Sequence, residues 1–145
     1  MKTSGIADQL LGPVNLAVPD MVLSRQAVGV DGPGPGSMKP IELTVGKLHK
    51  KGVDAVTLWP LILYRQGHRD DIALRCHEHF HWCQALRWGV LPWYLWYLAL
   101  VPFYLGKRSH EHPLERPAYE LQWQVQEKLK SGASIEAELA SVGLA

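Results

Sequence analysis

The sequence contains little cysteine, little net charge and no apolar run of signal-peptide length near its start. Its 145 residues include two cysteines, Cys76 and Cys83. If they share a helix, they lie about 10 Å apart along its axis at ~1.5 Å per residue, which is too far for a disulfide. We therefore expect no disulfide framework, a reducing compartment and two small buried side chains rather than metal ligands.

The charge balance excludes one class of partner. A formal net charge of +1, with lysines and arginines scattered along the chain, gives no basic patch that would attract nucleic acid. The first lysine is not followed by the apolar segment of a signal peptide. We expect a chain without a signal peptide, located in the cytoplasm or incorporated in a phage particle.

The composition divides the chain into an arm and one domain. Residues 29–40, "GVDGPGPGSMKP", are rich in glycine and proline, which predicts an extended N-terminal arm over residues 1–40 and a domain over 41–145. Residues 41–47 alternate apolar and polar side chains, with Ile41, Leu43 and Val45 on one half-buried side. Residues 55–65 are also strand-like although Pro60 interrupts them, and we expect the two segments to pair as a hairpin across Gly52.

Helices account for most of the remaining chain. Residues 70–88 lack glycine and proline, and Asp70 or Asp71 is suited to cap a helix there. Residues 112–132 predict a second helix that ends at Gly132, and residues 134–142 predict a short third one. The sequence therefore predicts an α+β fold.

The stretch "RCHEHFHWCQ" contains the pattern H-E-x-x-H at His77, Glu78 and His81. On a helix, residues i and i+4 share a face, so both imidazoles can reach one zinc ion at about 2.0–2.1 Å. Glu78 is rotated by about 100° from His77, which places it beside the metal as a general base for a metal-bound water. His79 points away from this face.

A catalytic zinc ion needs a third protein ligand. Gln84 and Arg87 stand where a metzincin has glycine and histidine, so that class is excluded. A gluzincin takes a glutamate from a later helix, and the candidates in the segment "HPLERPAYE" are Glu115, which we prefer, and Glu120. Two histidines close in sequence, His110 and His112, are alternatives.

The two motifs together, H-E-x-x-H-x-x-Q and P-x-E-x-x-A-Y from Pro113 to Tyr119, resemble the small zincin-like metallopeptidases of the gluzincin type in bacterial and phage genomes. The resemblance covers residues 55–130. It implies a minimal zincin-like domain in which a helix bearing H-E-x-x-H and a helix bearing Glu115 pack beside a small hairpin or sheet. It also implies Zn²⁺ bound by His77, His81 and Glu115, with Glu78 as the base.

The chain departs from the gluzincin pattern at two positions near this third ligand. Tyr119 occupies a position where an aspartate often supports the histidines; it could polarise a substrate carbonyl or simply pack as an aromatic side chain. Pro117 follows Glu115 by two residues, and proline is tolerated in the first turn of a helix but not deeper. Glu115 is therefore expected in the first turn of its helix or just before it.

Residues 88–106, here called the aromatic belt, carry no charge over nineteen positions. A single membrane crossing would separate the histidines from Glu115 by about 30 Å, so we expect the belt to go out and return, or to form a buried helix bent at Pro92 and Pro102. Its tryptophans and tyrosines suit a core, a protein interface or the surface of a membrane.

Three functions follow from these patterns. The first is a zinc-dependent peptidase that acts on a peptide or protein substrate. The second is a structural or assembly subunit of a larger complex, such as a phage particle, which keeps a zinc site without catalysis and binds protein partners through the N-terminal arm and the aromatic belt. The third is a membrane-associated protein in which residues 88–106 insert and the histidines are incidental.

Overall fold

The computed structural model describes residues 38–48 and 52–145, so nearly all of the expected N-terminal arm lies outside the described residues. The described chain has an α+β fold with a three-stranded sheet and four α-helices. This confirms the predicted fold class.

The sheet consists of β1 (Ile41–Val45), β2 (Ala55–Leu58) and β3 (Leu61–Arg65), in the order β1-β3-β2. The hairpin joins β2 to β3, and its turn contains a cis peptide bond before Pro60. β1 pairs with β3 in parallel, so the expected hairpin between residues 41–47 and 55–65 is wrong. Pro60 provides the turn, which leaves β3 free to take the centre of the sheet.

The burial of β1 is also the reverse of the expectation. Ile41 and Leu43 are exposed and Val45 is only half-buried. Residues that face each other across paired strands share a side of the sheet, so Glu42, opposite the fully buried Ile62, lies on the inner side. Apolar and polar side chains do alternate along β1, but Glu42 faces inward because Arg75 and His79 on α1 bind it there.

Helix α1 (Ile72–Trp88) lies between the sheet and the later helices. The Asp71 carboxylate caps it by accepting a hydrogen bond from the Leu74 N–H at 3.0 Å, as expected of Asp70 or Asp71. On one side Trp82 packs with the buried sheet residues Ile62 and Tyr64. On the other side Cys76 packs with Val125 in a second apolar cluster. Burial on both sides makes α1 the central element of the fold.

Helix α2 (Val90–Tyr104) forms most of the aromatic belt. Gly89 separates it from α1 with a positive φ of 87°, a conformation that side chains disfavour. Within α2, Trp93 and Leu100 are buried and most of the remaining side chains are exposed. The expectation of a buried helix is therefore wrong, because one face of α2 packs on the domain and the opposite face is left uncovered by the described residues.

A short 3₁₀ helix (Ser109–Glu111) leads to α3 (Arg116–Ser131), and α4 (Glu136–Ser141) follows. Pro117 falls in the first turn of α3, and Glu115 is the residue just before the helix. Gly132 ends α3 in the left-handed conformation, as expected. These boundaries confirm the predicted position of Glu115 relative to its helix.

Two further expectations concern the cysteines and membrane spans. Cys76 and Cys83 are free thiols, and burial raises the pKa of each to about 11. Among the described residues, no helix is both long and apolar enough to cross a membrane.

Candidate metal centre

The structure brings together one nitrogen or oxygen atom from each of His77, His81 and Glu115. The two histidines lie one turn apart on α1, and Glu115 stands at the start of α3, where the chain returns to α1. Both imidazoles are buried and the Glu115 side chain is 15% exposed. This group could hold a metal ion.

The three atoms form a nearly equilateral triangle. Nε2 of His81 lies 3.2 Å from Nε2 of His77 and 3.2 Å from Oε2 of Glu115. The third side, between Nε2 of His77 and Oε2 of Glu115, is 3.3 Å. Ligands placed about 2.0–2.1 Å from a tetrahedral ion are separated by about 3.3–3.4 Å. The triangle therefore has the size that three ligands of a tetrahedral metal ion require.

The protonation of His81 is set by Gln84. Trp93 Nε1–H, which can only donate, points at Gln84 Oε1 at 3.3 Å, so this atom is an acceptor. His81 Nδ1 lies 3.0 Å from the same oxygen and must therefore carry a proton. In the neutral ring Nε2 then presents its lone pair towards Glu115, which is the arrangement that a metal-binding histidine needs.

The electrostatics of the site favour a bound cation. Burial lowers the pKa of His81, but the hydrogen bond with Glu115 and the charge of that carboxylate outweigh it and raise the pKa to about 9. Burial raises the pKa of Glu115, but hydrogen bonds from His77 and His81 prevail and hold it far below its usual range. A proton and a metal ion would compete for the same atom, Nε2 of His81.

A further hydrogen bond fixes the orientation of the Glu115 carboxylate. The Tyr97 hydroxyl on α2 donates to Oε1 of Glu115 at 2.9 Å, which leaves Oε2 directed at the two histidines. Burial and the charge of Glu115 raise the pKa of Tyr97 above its usual range, so it remains a proton donor. The aromatic belt thus supplies hydrogen bonds behind two of the three ligands.

Glu78, the predicted base, is buried beside this group on α1. The hydroxyl of Thr57 on β2 lies 2.7 Å from Oε2 of Glu78 and donates to it. The negative charge of Glu78 adds to the rise in the pKa of His81. Glu78 thus lies close enough for its charge to act on a candidate ligand, and its role as a base stays a prediction.

Tyr119 contacts the site through its ring. The ring meets His77 edge-on, with centroids 4.5 Å apart. Burial raises the pKa of Tyr119, a hydrogen bond with Ser109 opposes that rise, and the phenol remains protonated at neutral pH. Its catalytic role stays a prediction.

The alternative third ligands lie outside the three-atom group. The Glu120 carboxylate pairs with Arg116 on the surface of α3 at 3.3 Å. The His110 ring packs against Tyr119 and Trp123. His112 is buried, its Nδ1 accepts from the Leu114 N–H at 3.2 Å, and burial lowers its pKa. Of the four candidates, Glu115 is the one placed with both histidines.

His79, expected to point away from the site, does so. Its Nε2 lies 2.8 Å from Oε1 of Glu42, and the same oxygen accepts hydrogen bonds from Arg75 and from the Tyr64 hydroxyl. This network fastens β1 to the far side of α1.

Sequence reasoning gave no role to Thr57, Trp93 or Tyr97, and it used Gln84 merely as part of a pattern. The position of Gln84 three residues after His81 is a helical-neighbour signal that could have identified it. Thr57 lies on β2 and Tyr97 on α2, so their contacts with the site cannot be predicted from the spacing of residues along one helix.

Comparison with known proteins identifies no relative. No family model matches the chain, and neither the curated proteins nor the solved structures contain a match. The resemblance to zincin-like metallopeptidases therefore rests on the two motifs and stays a prediction.

Proposed function

We propose that this chain is a zincin-like, zinc-dependent peptidase, in which His77, His81 and Glu115 bind the metal and Glu78 is the general base. The observation that carries the proposal is the triangle of ligand atoms with sides of 3.2–3.3 Å. Three protein ligands with one remaining position are the pattern of catalytic zinc sites, whereas structural sites have four protein ligands.

The donor set favours zinc over other ions. Two imidazole nitrogens and one carboxylate oxygen are typical ligands of zinc in peptidases, while calcium and magnesium prefer oxygen alone. His81 is supported by Gln84 and Glu115 by Tyr97, and such supporting contacts orient ligands in catalytic zinc sites.

The residues around the ligands suit peptide hydrolysis. Zinc, when bound, acidifies a water molecule and polarises a carbonyl oxygen. Glu78 accepts a proton from the attacking water and delivers it to the leaving amine. Thr57 orients Glu78 by donating to one of its carboxylate oxygens, which fixes the other relative to α1.

The sheet suggests how a substrate is held. β2 is an edge strand, and Thr57 on β2 contacts Glu78 directly. The Tyr94 hydroxyl on α2 already bonds two main-chain groups at the end of this strand, the Trp59 N–H at 2.8 Å and the Thr57 carbonyl at 3.4 Å. A peptide that pairs with β2 by main-chain hydrogen bonds would therefore displace Tyr94 as it runs past the base. The substrate class that fits this arrangement is an extended polypeptide.

The burial of the ligands favours a second candidate function. Both imidazoles are nearly inaccessible, as is usual for a metal that stabilises a fold. In that case the chain is a structural or assembly subunit, for example of a phage particle, and Glu78 has no catalytic role.

Metal analysis is the first experiment. Elemental mass spectrometry of purified protein prepared without chelator should find about one zinc per chain, lost in His77→Ala and Glu115→Gln and kept in Glu78→Gln. His110→Ala and Glu120→Gln are the matched controls and should keep the metal, because their side chains lie outside the group. A folded protein without metal would contradict both candidate functions.

Hydrolysis of a peptide library then separates the two candidates. The peptidase predicts cleavage by the zinc-loaded protein and a loss of about 10²–10⁴-fold in Glu78→Gln at unchanged zinc content. X-ray absorption of the zinc form should show two histidines, one carboxylate and one water. A fourth protein ligand without cleavage would establish the structural function instead.

A further inference from the structure

The outer face of α2 is an apolar surface that the described part of the chain leaves uncovered. Leu91, Leu98 and Leu105 are 68%, 62% and 73% exposed. Leu91, Leu95 and Leu98 share one side of α2 at spacings of four and three residues, and Leu105 is the residue directly after the helix. Trp96 and Phe103 widen this apolar surface. These six residues are called the outer face of α2.

Such a surface is unusual for a protein that meets water alone. Exposed apolar residues are ordinarily scattered, and a continuous patch marks a surface that contacts another phase or molecule. The outer face holds five large apolar side chains on a helix of 15 residues, about 22 Å long at ~1.5 Å per residue, and Leu105 directly after it. We therefore expect another molecule or a membrane to cover the outer face of α2.

The charges near α2 indicate what that occupant is. The sequence has no aspartate or glutamate from His79 to His110, although the whole chain has nearly equal numbers of acids and bases. Arg87 precedes α2, and the exposed Lys107 and Arg108 follow it. Bases near an apolar helix face favour contact with an anionic surface.

A second copy of the chain fits this pattern less well. In a symmetric antiparallel pairing of two α2 helices, Lys107 and Arg108 of one copy would approach Arg87 of the other. In a parallel pairing, like ends would meet. The parallel arrangement brings Lys107 and Arg108 of both copies together, and in the antiparallel one the segment from His79 to His110 supplies no acidic residue to face them. The next acidic residue, Glu111, accepts from the Arg108 N–H of its own copy at 3.2 Å.

We propose that the outer face of α2 binds the surface of an anionic lipid bilayer, with the helix axis in the plane of the membrane. The helix is too short to cross a hydrocarbon core of about 30 Å, but its leucines can enter the boundary between headgroups and acyl chains. Lys107 and Arg108 then contact the anionic headgroups.

This binding does not depend on the peptidase activity, but it determines where that activity would act. Trp93 and Tyr97 on the inner face of α2 touch Gln84 and Glu115 of the metal centre. The centre is thus held directly above the bound surface. If the chain is a peptidase, its substrates are extended segments of proteins close to an anionic membrane.

Flotation with vesicles tests the proposal on the complete chain. The protein should float with phosphatidylcholine vesicles that contain phosphatidylserine, less with phosphatidylcholine alone, and less when salt is added. Leu95→Asp combined with Leu98→Asp should reduce binding by about tenfold or more, because a charge on the lipid-facing side opposes insertion. The charge reversal Lys107→Glu with Arg108→Glu should reduce binding severalfold on the anionic vesicles.

Leu129→Asp is the matched control, because Leu129 is an exposed leucine on α3, away from α2. It should bind like the wild type, and circular dichroism should show the same helix content in all variants. Folded wild type that ignores anionic vesicles overturns the proposal, as does an equal loss in Leu129→Asp. Self-association would replace the proposal if the wild type formed a concentration-dependent oligomer but did not bind vesicles, and if Leu98→Asp made that oligomer dissociate.

Discussion

Helix α1 carries two clusters of histidine and glutamate on opposite sides, and they differ in how their charges are matched. The sheet-side cluster consists of Glu42, Tyr64, Arg75 and His79. The metal-side cluster consists of His77, His81 and Glu115. His79 is two residues, or about 200°, from either metal-side histidine, so one helix serves both clusters.

In the sheet-side cluster every partner of the carboxylate is a donor. Glu42 accepts hydrogen bonds from Tyr64, from two nitrogens of Arg75 and from His79. A half-buried carboxylate with this many donors is complete without a ligand. The cluster holds β1 against α1 and has a structural function.

In the metal-side cluster the ligand atoms converge on each other. Two imidazole nitrogens and one carboxylate oxygen lie within 3.3 Å of one another. Gln84 holds the proton on Nδ1 of His81, so Nε2 is the atom that binds either a second proton or a cation inside the cluster. The comparison teaches that the same residue types on one helix can complete a fold or form a site for a cation. The difference lies in whether a permanently charged donor such as Arg75 faces the carboxylate, or only imidazoles whose proton a metal ion can replace.

The largest expected difference between the clusters is in stability. Glu42→Gln should lower the free energy of unfolding by about 3 kcal/mol, with or without zinc, because it leaves Arg75 and His79 partly buried without an anion. Above about pH 9, where His81 is neutral, Glu115→Gln should change it by less than about 1 kcal/mol under chelator, since the amide oxygen still accepts from Tyr97. Urea unfolding with and without chelator measures both.

Added zinc should also affect the stability of the two clusters' variants differently. At about a hundredfold excess over Kd, zinc should stabilise the wild type and Glu42→Gln by about 3 kcal/mol and leave Glu115→Gln unchanged. Equal responses of the two variants to zinc would show that the clusters do not differ in this way.

The hydrogen bond between Gln84 and His81 predicts the next largest effect. Gln84→Leu should weaken zinc binding by about 10–100-fold, because it removes the acceptor of Nδ1–H and frees the ring. Gln84→Glu keeps an acceptor and should bind at least as well as the wild type. Competition with a chromogenic chelator measures both affinities, and equal weakening in the two variants would count against a role for that hydrogen bond.

Thr57 predicts an effect on the base rather than on the metal. Thr57→Val keeps the shape of the side chain and removes the hydroxyl that donates to Glu78. We expect full zinc content and about tenfold slower peptide hydrolysis, with Thr57→Ser close to the wild type. A loss of zinc in Thr57→Val would mean that this contact supports the ligand set instead.

Lowering the pH should weaken the sheet-side cluster, and the variant Glu42→Gln measures how much of the lost stability comes from Glu42. Burial raises the pKa of Glu42, but hydrogen bonds and charges from His79 and Arg75 outweigh it and lower the pKa below the usual 4.5. A depressed carboxyl pKa contributes stability above pH 4.5 that is lost as the pH falls through the folded-state value. Under chelator, the fall of unfolding free energy below pH 4.5 should be shallower in Glu42→Gln, and an unchanged slope would contradict this.

The features that the sequence predicted well are local. The H-E-x-x-H helix, its Asp71 cap and the place of Glu115 ahead of α3 follow from spacings of one to four residues, where helix geometry and the position of Pro117 leave few choices. Such spacings place side chains on a face whatever the rest of the chain does.

The features that were missed depend on distant contacts. The parallel pairing of β1 with β3 joins residues twenty positions apart, from Ile41 with Leu61 to Val45 with Arg65. Glu42 faces inward because Arg75 and His79 on α1 satisfy it, and no local pattern contains that information. The exposure of α2 likewise depends on which elements pack against it.

One consequence concerns the two faces of α2. Trp93 donates to Gln84, which holds His81, and Tyr97 donates to Glu115. A small rotation of this helix would lengthen hydrogen bonds behind two of the three ligands at once. If contact on the outer face alters metal affinity through that movement, thermodynamic reciprocity requires the metal to alter the contact by the same factor. α2 would then be an allosteric link between a surface and an ion.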